Sequence, residues 1–193
     1  MNVIDHKLAI EKLNLGLPII FQTDTLPAIG CLPKFSEIIY KVKKRNISKQ
    51  LILMGAENSQ FNDLIHESAL VDYKYMASKY WPGPLTLIIP ISDKSNVFLS
   101  SNNSTLGLRI PNSMTAKFLL KESGPLFTSS ANTSGLKPAT NAKDISIDLP
   151  DVDILGPVPW AKCSGKASTI ISWVNHGEWE IIRKGQVLIP EIM

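Results

Sequence analysis

The stretch Leu126 to Gly135, L-F-T-S-S-A-N-T-S-G, constrains this chain more than any other. An apolar, β-branched run stops, and Ser130, Asn132, Thr133 and Ser134 follow at once. That order suits a strand whose carboxyl end opens onto a polar loop. In α/β sheets ligands bind at that end, where hydroxyls, an amide and free backbone N–H groups can surround a phosphate or carboxylate. Serine and asparagine are also ordinary turn residues, so the stretch by itself reads more readily as a plain turn. The Thr23-Asp24-Thr25 turn and the basic run Lys41 to Lys49 shift that balance.

A chain of 193 residues is long enough for one domain with a full core. Its 44% hydrophobic and 19% charged content are globular values. No apolar run approaches the ~18 residues of a membrane-spanning helix, and the first residues lack the basic-then-apolar order of a signal peptide. A cytoplasmic protein without membrane contact is expected. Twenty basic and 17 acidic side chains leave a net charge of +3, which permits anionic ligands without arguing for a dedicated nucleic-acid binder. Cys31 and Cys163 form no C-x-x-C, and the three histidines show no ligand spacing. Two reduced thiols and no structural metal are expected.

Helical spacing runs over 5–15, 35–44 and 68–80, and again from a cap at Asn112 or Ser113 to about Glu122. Short apolar runs at Leu17 to Phe21, Gln50 to Met54, Leu85 to Ile91, Thr105 to Ile110 and Ser168 to Val174 read as strands. Glu178 to Arg183 returns as a hairpin after Asn175-His176-Gly177. Trp81-Pro82-Gly83-Pro84 breaks a helix, Ser92 to Asn103 reads as a mobile loop, and the chain beyond Gly135 reads as loop-rich. Helices alternating with strands predict an α/β fold.

Arg109 is a lone charge in an apolar run. Such a residue usually faces solvent on a half-exposed sheet. It can also aim a guanidinium into a cleft to grip a carboxylate or phosphate. Lys41, Lys43, Lys44, Arg45 and Lys49 fill a helix end and a short helix-to-strand connection, a fixed place for cations. The familiar nucleotide loops are missing. No two glycines have the spacing of G-x-G-x-x-G, and the glycine a Walker loop needs ahead of Gly165-Lys166-Ala167-Ser168 is Trp160. G-x-S-x-G is absent as well.

Taken together, the pieces resemble the YrdC-like family of threonylcarbamoyl-AMP synthases. That family's pattern is P-T-D-T-x-Y-G-L, K-x-R, P-G-P-x-T, R-x-P, S-x-N-x-S-G, S-T and R-x-G. This chain has Thr23-Asp24-Thr25, Lys43-Lys44-Arg45, Pro82-Gly83-Pro84-Leu85-Thr86, Arg109-Ile110-Pro111, Ser130-Ala131-Asn132-Thr133-Ser134-Gly135, Ser168-Thr169 and Arg183-Lys184-Gly185, in that order. Gln22, Pro27 and Ala28 depart from the first motif, Asn46 and Gln50 replace prolines flanking the basic loop, and Met54 falls where many members carry histidine.

The resemblance implies a single YrdC-like domain over residues 1–193, with a twisted mixed sheet and helices around a large basic cavity. It implies that L-threonine, bicarbonate and ATP give threonylcarbamoyl-AMP and pyrophosphate, a nucleotidyl transfer with Mg2+ on the phosphates. Downstream proteins then transfer the threonylcarbamoyl group to tRNA, and an affinity for RNA goes with the family. Carried onto matching positions, Lys43, Arg45, Ser130 and Asn132 would be catalytic. Arg45, Lys49, Thr86, Ser130, Asn132 and Arg183 would hold ATP, and Thr25, Arg109 and Ser168 would hold threonine. The alternatives are a non-catalytic RNA- or nucleotide-binding module, and a domain acting on another carbamoyl donor. The absence of aromatics from Lys43 to Lys49 and the small net charge favour the enzyme over an RNA module.

Overall fold

The structure is a computed structural model that describes residues 1–92 and 104–192. Most of the expected loop at Ser92 to Asn103 lies outside the described residues. The strands are β1 (Val3–Ile4), β2 (Ile19–Phe21), β3 (Ala28–Cys31), β4 (Ile52–Met54), β5 (Leu85–Pro90), β6 (Thr105–Arg109), β7 (Leu126–Ser130), β8 (Asp153–Leu155), β9 (Thr169–Asn175) and β10 (Glu178–Arg183). They form one mixed sheet in the order β1-β8-β2-β3-β7-β4-β6-β5-β9-β10. The helices are α1 (His6–Asn14), α2 (Glu37–Lys43), α3 (Leu70–Tyr80), α4 (Met114–Ser123) and α5 (Ala142–Asp148).

Side chains alternate across a strand, and the sheet carries a core on each face. On one face Leu53, Leu87, Leu108, Phe127 and Ile171 pack with Ile39 of α2, Tyr73 of α3 and Ile145 of α5. On the other, Ile19, Phe21, Ala28, Met54 and Leu126 pack with Ala9 and Leu13 of α1 and with Ala116, Leu119 and Leu120 of α4. Helices α1 and α4 contact each other on that second face. The apolar side chains of β4, β5 and β9 that share it, Ile52, Ile88 and Ile170, are half-buried and line a cavity.

Local signals set the helix ends. Asp5 caps α1 by accepting from the Leu8 N–H, and Ser113 caps α4 by accepting from the Ala116 N–H. Helix α2 ends with Lys44 in the left-handed region (φ 50°), and the Arg45 N–H folds back to the Tyr40 carbonyl at 2.9 Å. The segment after Gly135 differs from the loop-rich expectation, because it contains α5 and β8. Asn141 caps α5 through the Asp144 N–H, and the three residues of β8 are held between β1 and β2. Strand β3, four buried residues paired with β2 and β7, was also not expected.

The β9–β10 hairpin is fastened to α3 at its tip. Asp72 is 8% exposed and accepts from Trp173 Nε1 (2.8 Å), the Gly177 N–H (3.1 Å) and His176 Nδ1 (3.2 Å). Burial pushes the Asp72 carboxyl up, but these bonds and the neighbouring ring outweigh it and hold the group below the usual carboxylate range. A depressed carboxylate contributes stability that is present above the unfolded-state value and lost as pH falls through the folded one. Asp72→Ala is therefore expected to lower the unfolding free energy by roughly 2–3 kcal/mol at neutral pH. The gap from wild type should close as urea melts are repeated below about pH 4.

Candidate active site

The cavity encloses about 260 Å³ over the part of the second face that α1 and α4 leave bare. Its floor is set by strand register. Ile52 on β4 pairs with Gly107 on β6, and Gly107 pairs with Ile88 on β5. One step along, Met54 pairs with Arg109, and Thr86 pairs with Ile170 of β9. Thr128, Ser129 and Ser130 border one side, with the side chains of Thr128 and Ser130 on the cavity face of β7, and Ser168 borders the other.

Arg109 is 3% exposed and is the best-anchored charge in the cavity. Its Nε donates to the Gly83 carbonyl (3.1 Å), Nη1 to Thr25 Oγ1 (2.8 Å) and Nη2 to Asp24 Oδ1 (2.7 Å). Asp24 Oδ1 also accepts from the Asn112 N–H (3.1 Å). Burial works against the Arg109 charge, and Asp24 offsets part of that. A guanidinium has five N–H bonds, so one on each terminal nitrogen has no protein partner among the described residues. The turn that carries Asp24 and Thr25 is held in its own right: Thr23 Oγ1 donates to the Leu26 carbonyl (2.6 Å), and the carbonyls of Asp24 and Thr25 accept from the N–H groups of Ser164 and Gly165.

Arg45 and Arg183 also line the cavity. Arg45 donates to the carbonyls of Lys49 (3.1 Å) and Gln50 (3.0 Å). Arg183 donates to the Ser168 carbonyl through Nε (3.1 Å) and Nη2 (2.9 Å), and to Ser168 Oγ (3.1 Å). Thr86 Oγ1 and Ser168 Oγ share a buried hydrogen bond of 2.9 Å. Three arginines and no carboxylate among the described lining residues make the cavity an anion site. Among the described residues no three His, Cys, Asp or Glu side chains gather as a metal site, and Cys31 and Cys163 are free and buried.

Thr25, Arg45, Thr86, Arg109, Ser130, Ser168 and Arg183, all expected from the sequence, meet at this cavity. Lys43, Lys49 and Asn132 are not part of its lining. Lys43 is 1% exposed, and its ammonium donates to the carbonyls of Ser130 and, at 2.6 Å, Asn132. Asn132 spends its amide on the carbonyls of Thr133 (2.9 Å) and Leu136 (2.8 Å) and accepts from Ser130 Oγ (2.6 Å). Lys49 is exposed, and its carbonyl holds Arg45. Lys43 and Asn132 shape the loop behind the lining, and Lys49 braces Arg45. Sequence reasoning did not pick out Ser129, Ile52, Gly107 or Ile88. The half-buried isoleucines and the glycine carry no signal until the strands are in register.

The Sua5/YciO/YrdC family model, described as telomere recombination, matches residues 11–185. The chain belongs to this family. Among curated members, threonylcarbamoyl-AMP synthase of Wigglesworthia glossinidia brevipalpis is 33% identical over 172 residues, 86% of this chain and 86% of the relative. The protein of that name from Buchnera aphidicola is 28% identical over 186 residues, 92% of this chain and all of the relative. In structure the chain is similar to E. coli YciO, with a TM-score of 0.79 and 20% identity over 100% of this chain and 98% of that one. It is also similar to P. abyssi Sua5, a structure complexed with L-threonine, with a TM-score of 0.84 and 24% identity over 96% of this chain. The chain spans 58% of the length of that Sua5. The family fold is thus the mixed sheet with helices described above.

Burial lowers Lys43 to about 8, with Arg45 adding to the effect. Between that value and ~10.5 the unfolded chain holds a proton that the folded chain has released, so the Lys43 contribution to stability rises with pH. Urea unfolding of wild type and Lys43→Met at pH 7.5 and pH 10 should show the difference, wild type minus variant, moving in favour of wild type at the higher pH.

Proposed function

We propose that this chain is a threonylcarbamoyl-AMP synthase that joins L-threonine, bicarbonate and ATP and releases pyrophosphate. The observation that carries the reading is the placement of Arg109, Arg45 and Arg183 around one cavity whose rim is serine and threonine hydroxyl. Curated relatives of that name at about a third identity support it, as does the threonine in the P. abyssi relative.

In the reaction the threonine amine adds to bicarbonate with loss of water, giving a carbamate. A carbamate oxygen then attacks the α-phosphorus of ATP. The new O–P bond forms as the bond to the pyrophosphate oxygen breaks, and pyrophosphate leaves with the electron pair. This chemistry needs placement and charge stabilisation more than a strong base. The two unpartnered N–H bonds of Arg109 suit the threonine carboxylate as a bidentate clamp. Thr25 and the Thr86–Ser168 hydroxyl pair flank that position. Arg45 and Arg183 neutralise the phosphates as negative charge moves onto the leaving group. Ser130 lines the phosphate end, while Asn132 and Lys43 hold the loop that presents it, and Lys49 adds positive charge outside the cavity. Magnesium enters as part of the substrate, mostly water-bound on the triphosphate. The product is an acyl-phosphate anhydride, so the next step is acyl transfer, which the family resemblance assigns to proteins acting on a tRNA adenosine.

Pyrophosphate release should require ATP, magnesium, threonine and bicarbonate together. No release while ATP still binds would overturn the reading in favour of a nucleotide- or RNA-binding module, and release that ignores threonine would overturn it in favour of an ATP-cleaving enzyme without an amino-acid acceptor. Arg45→Ala should cut release at least ~10-fold with the urea midpoint little changed, and Asn132→Ala should cut it as much while lowering the midpoint, because the carbonyls of Thr133 and Leu136 lose their donor. Lys34→Ala, whose ammonium sits over the Phe35 ring away from the cavity lining, should match wild type.

A further inference from the structure

The cavity floor has a gap in its middle. Across three adjacent strands the floor-facing residues run Ile52, Gly107, Ile88. Two aliphatic side chains rise on either side of a position that has none. Gly107 is not there for backbone reasons, since it lies in the middle of β6 without a positive φ. It is not there for lack of room either. A methyl group at Gly107 would stand 3.5 Å from Thr86 Cγ2, 3.6 Å from Ile52 Cγ1 and 3.9 Å from Ile88 Cγ1, all ordinary van der Waals distances. A strand interior gains from a side chain that can pack. What the missing side chain leaves is a methyl-sized notch, walled by carbon, opening into the cavity.

The next residue of β6 on the same face is Arg109, about 7 Å along the strand. Thr86, whose methyl borders the notch, turns its hydroxyl to Ser168 at 2.9 Å. A ligand gripped at Arg109 therefore meets a hydroxyl pair and an apolar notch side by side. That pairing matches a short side chain carrying one hydroxyl and one methyl on the same carbon.

We propose that Gly107 is the specificity-determining residue for the amino-acid substrate, with the notch it leaves receiving the threonine β-methyl. The inference rests on the threonine reading above and adds the group that selects threonine over serine. Serine keeps the carboxylate and hydroxyl contacts but leaves the notch empty. Discrimination by one methyl in an apolar pocket is on the order of 10–200-fold.

The experiment fills the notch. Gly107→Ala should fold as wild type does, because the added methyl meets nothing closer than 3.5 Å. Urea unfolding checks this. Pyrophosphate release is then measured with threonine and with serine at saturating bicarbonate, and the KM for ATP is measured in parallel. The expected result is a kcat/KM for threonine at least ~10-fold lower, with serine little changed, so that the preference narrows or reverses. The KM for ATP should stay within about twofold. A raised KM for ATP with threonine unaffected would place nucleotide in the notch and overturn the proposal, and so would unchanged kinetics or equal losses for both amino acids. If wild type itself releases no pyrophosphate with threonine and bicarbonate, the reaction fails and this inference with it. If wild type turns over and the variant is unchanged, only this inference fails.

Discussion

A guanidinium buried to 3% exposure must be satisfied on the spot, and the way Arg109 is satisfied organises this molecule. Its partners come from the turn between β2 and β3 (Asp24 and Thr25) and from the break before β5 (Gly83). Asp24 in turn takes the Asn112 N–H, just ahead of α4. Removing one partner of a buried ion pair costs about 3–5 kcal/mol, because the other charge is left unpaired. The two segments are thus locked to β6, and the cavity wall they form is rigid for electrostatic reasons rather than apolar ones.

The remaining cations follow a second rule. Arg45, Arg183 and Lys43 all donate to main-chain carbonyls. A carbonyl orients a cation without cancelling its charge as a carboxylate would. At Arg45 and Arg183, which line the cavity, positive charge is therefore held in place yet stays available to an anion, which is the preorganised state that charge stabilisation requires. Lys43 acts from behind the loop. By drawing the Ser130 and Asn132 carbonyls inward it fixes the strand end that presents Ser130 to the cavity.

Sequence and structure agree where a local signal existed. Arg109 stood out as a charge within an apolar run, and the serine stretch as hydroxyls at a strand end. The caps Asp5 and Ser113, and the apolar runs around β2, β4, β5, β6 and β9, needed only short-range pattern. Helix α5 (A-K-D-I-S-I-D) and strand β8 (D-I-L) were missed because their few apolar residues sit among polar ones and form neither a stripe nor a run. Within the basic run nothing marked Lys43 as the side chain that turns inward, since its partners lie 87 and 89 residues away. The notch at Gly107 was invisible for a related reason. A glycine between Leu106 and Leu108 becomes a feature only when β4 and β5 bring Ile52 and Ile88 alongside it.

Strand order in the sheet has a consequence for how the protein is made. The cavity takes residues from Thr25 through Arg183, and β9 lies parallel beside β5 although some eighty residues of chain separate them. A chain emerging from the ribosome through β7 can already assemble the Ile52–Gly107–Ile88 floor, but it lacks the wall that carries Ser168 and Arg183. Pairings this distant are slow to form and leave strand edges exposed meanwhile. Ligands that bind the finished cavity stabilise it by mass action, and they can do so only once β9 and β10 have been made and paired. The substrates of this fold thus double as late-acting stabilisers of the newly made protein, selecting for chains that have closed the sheet.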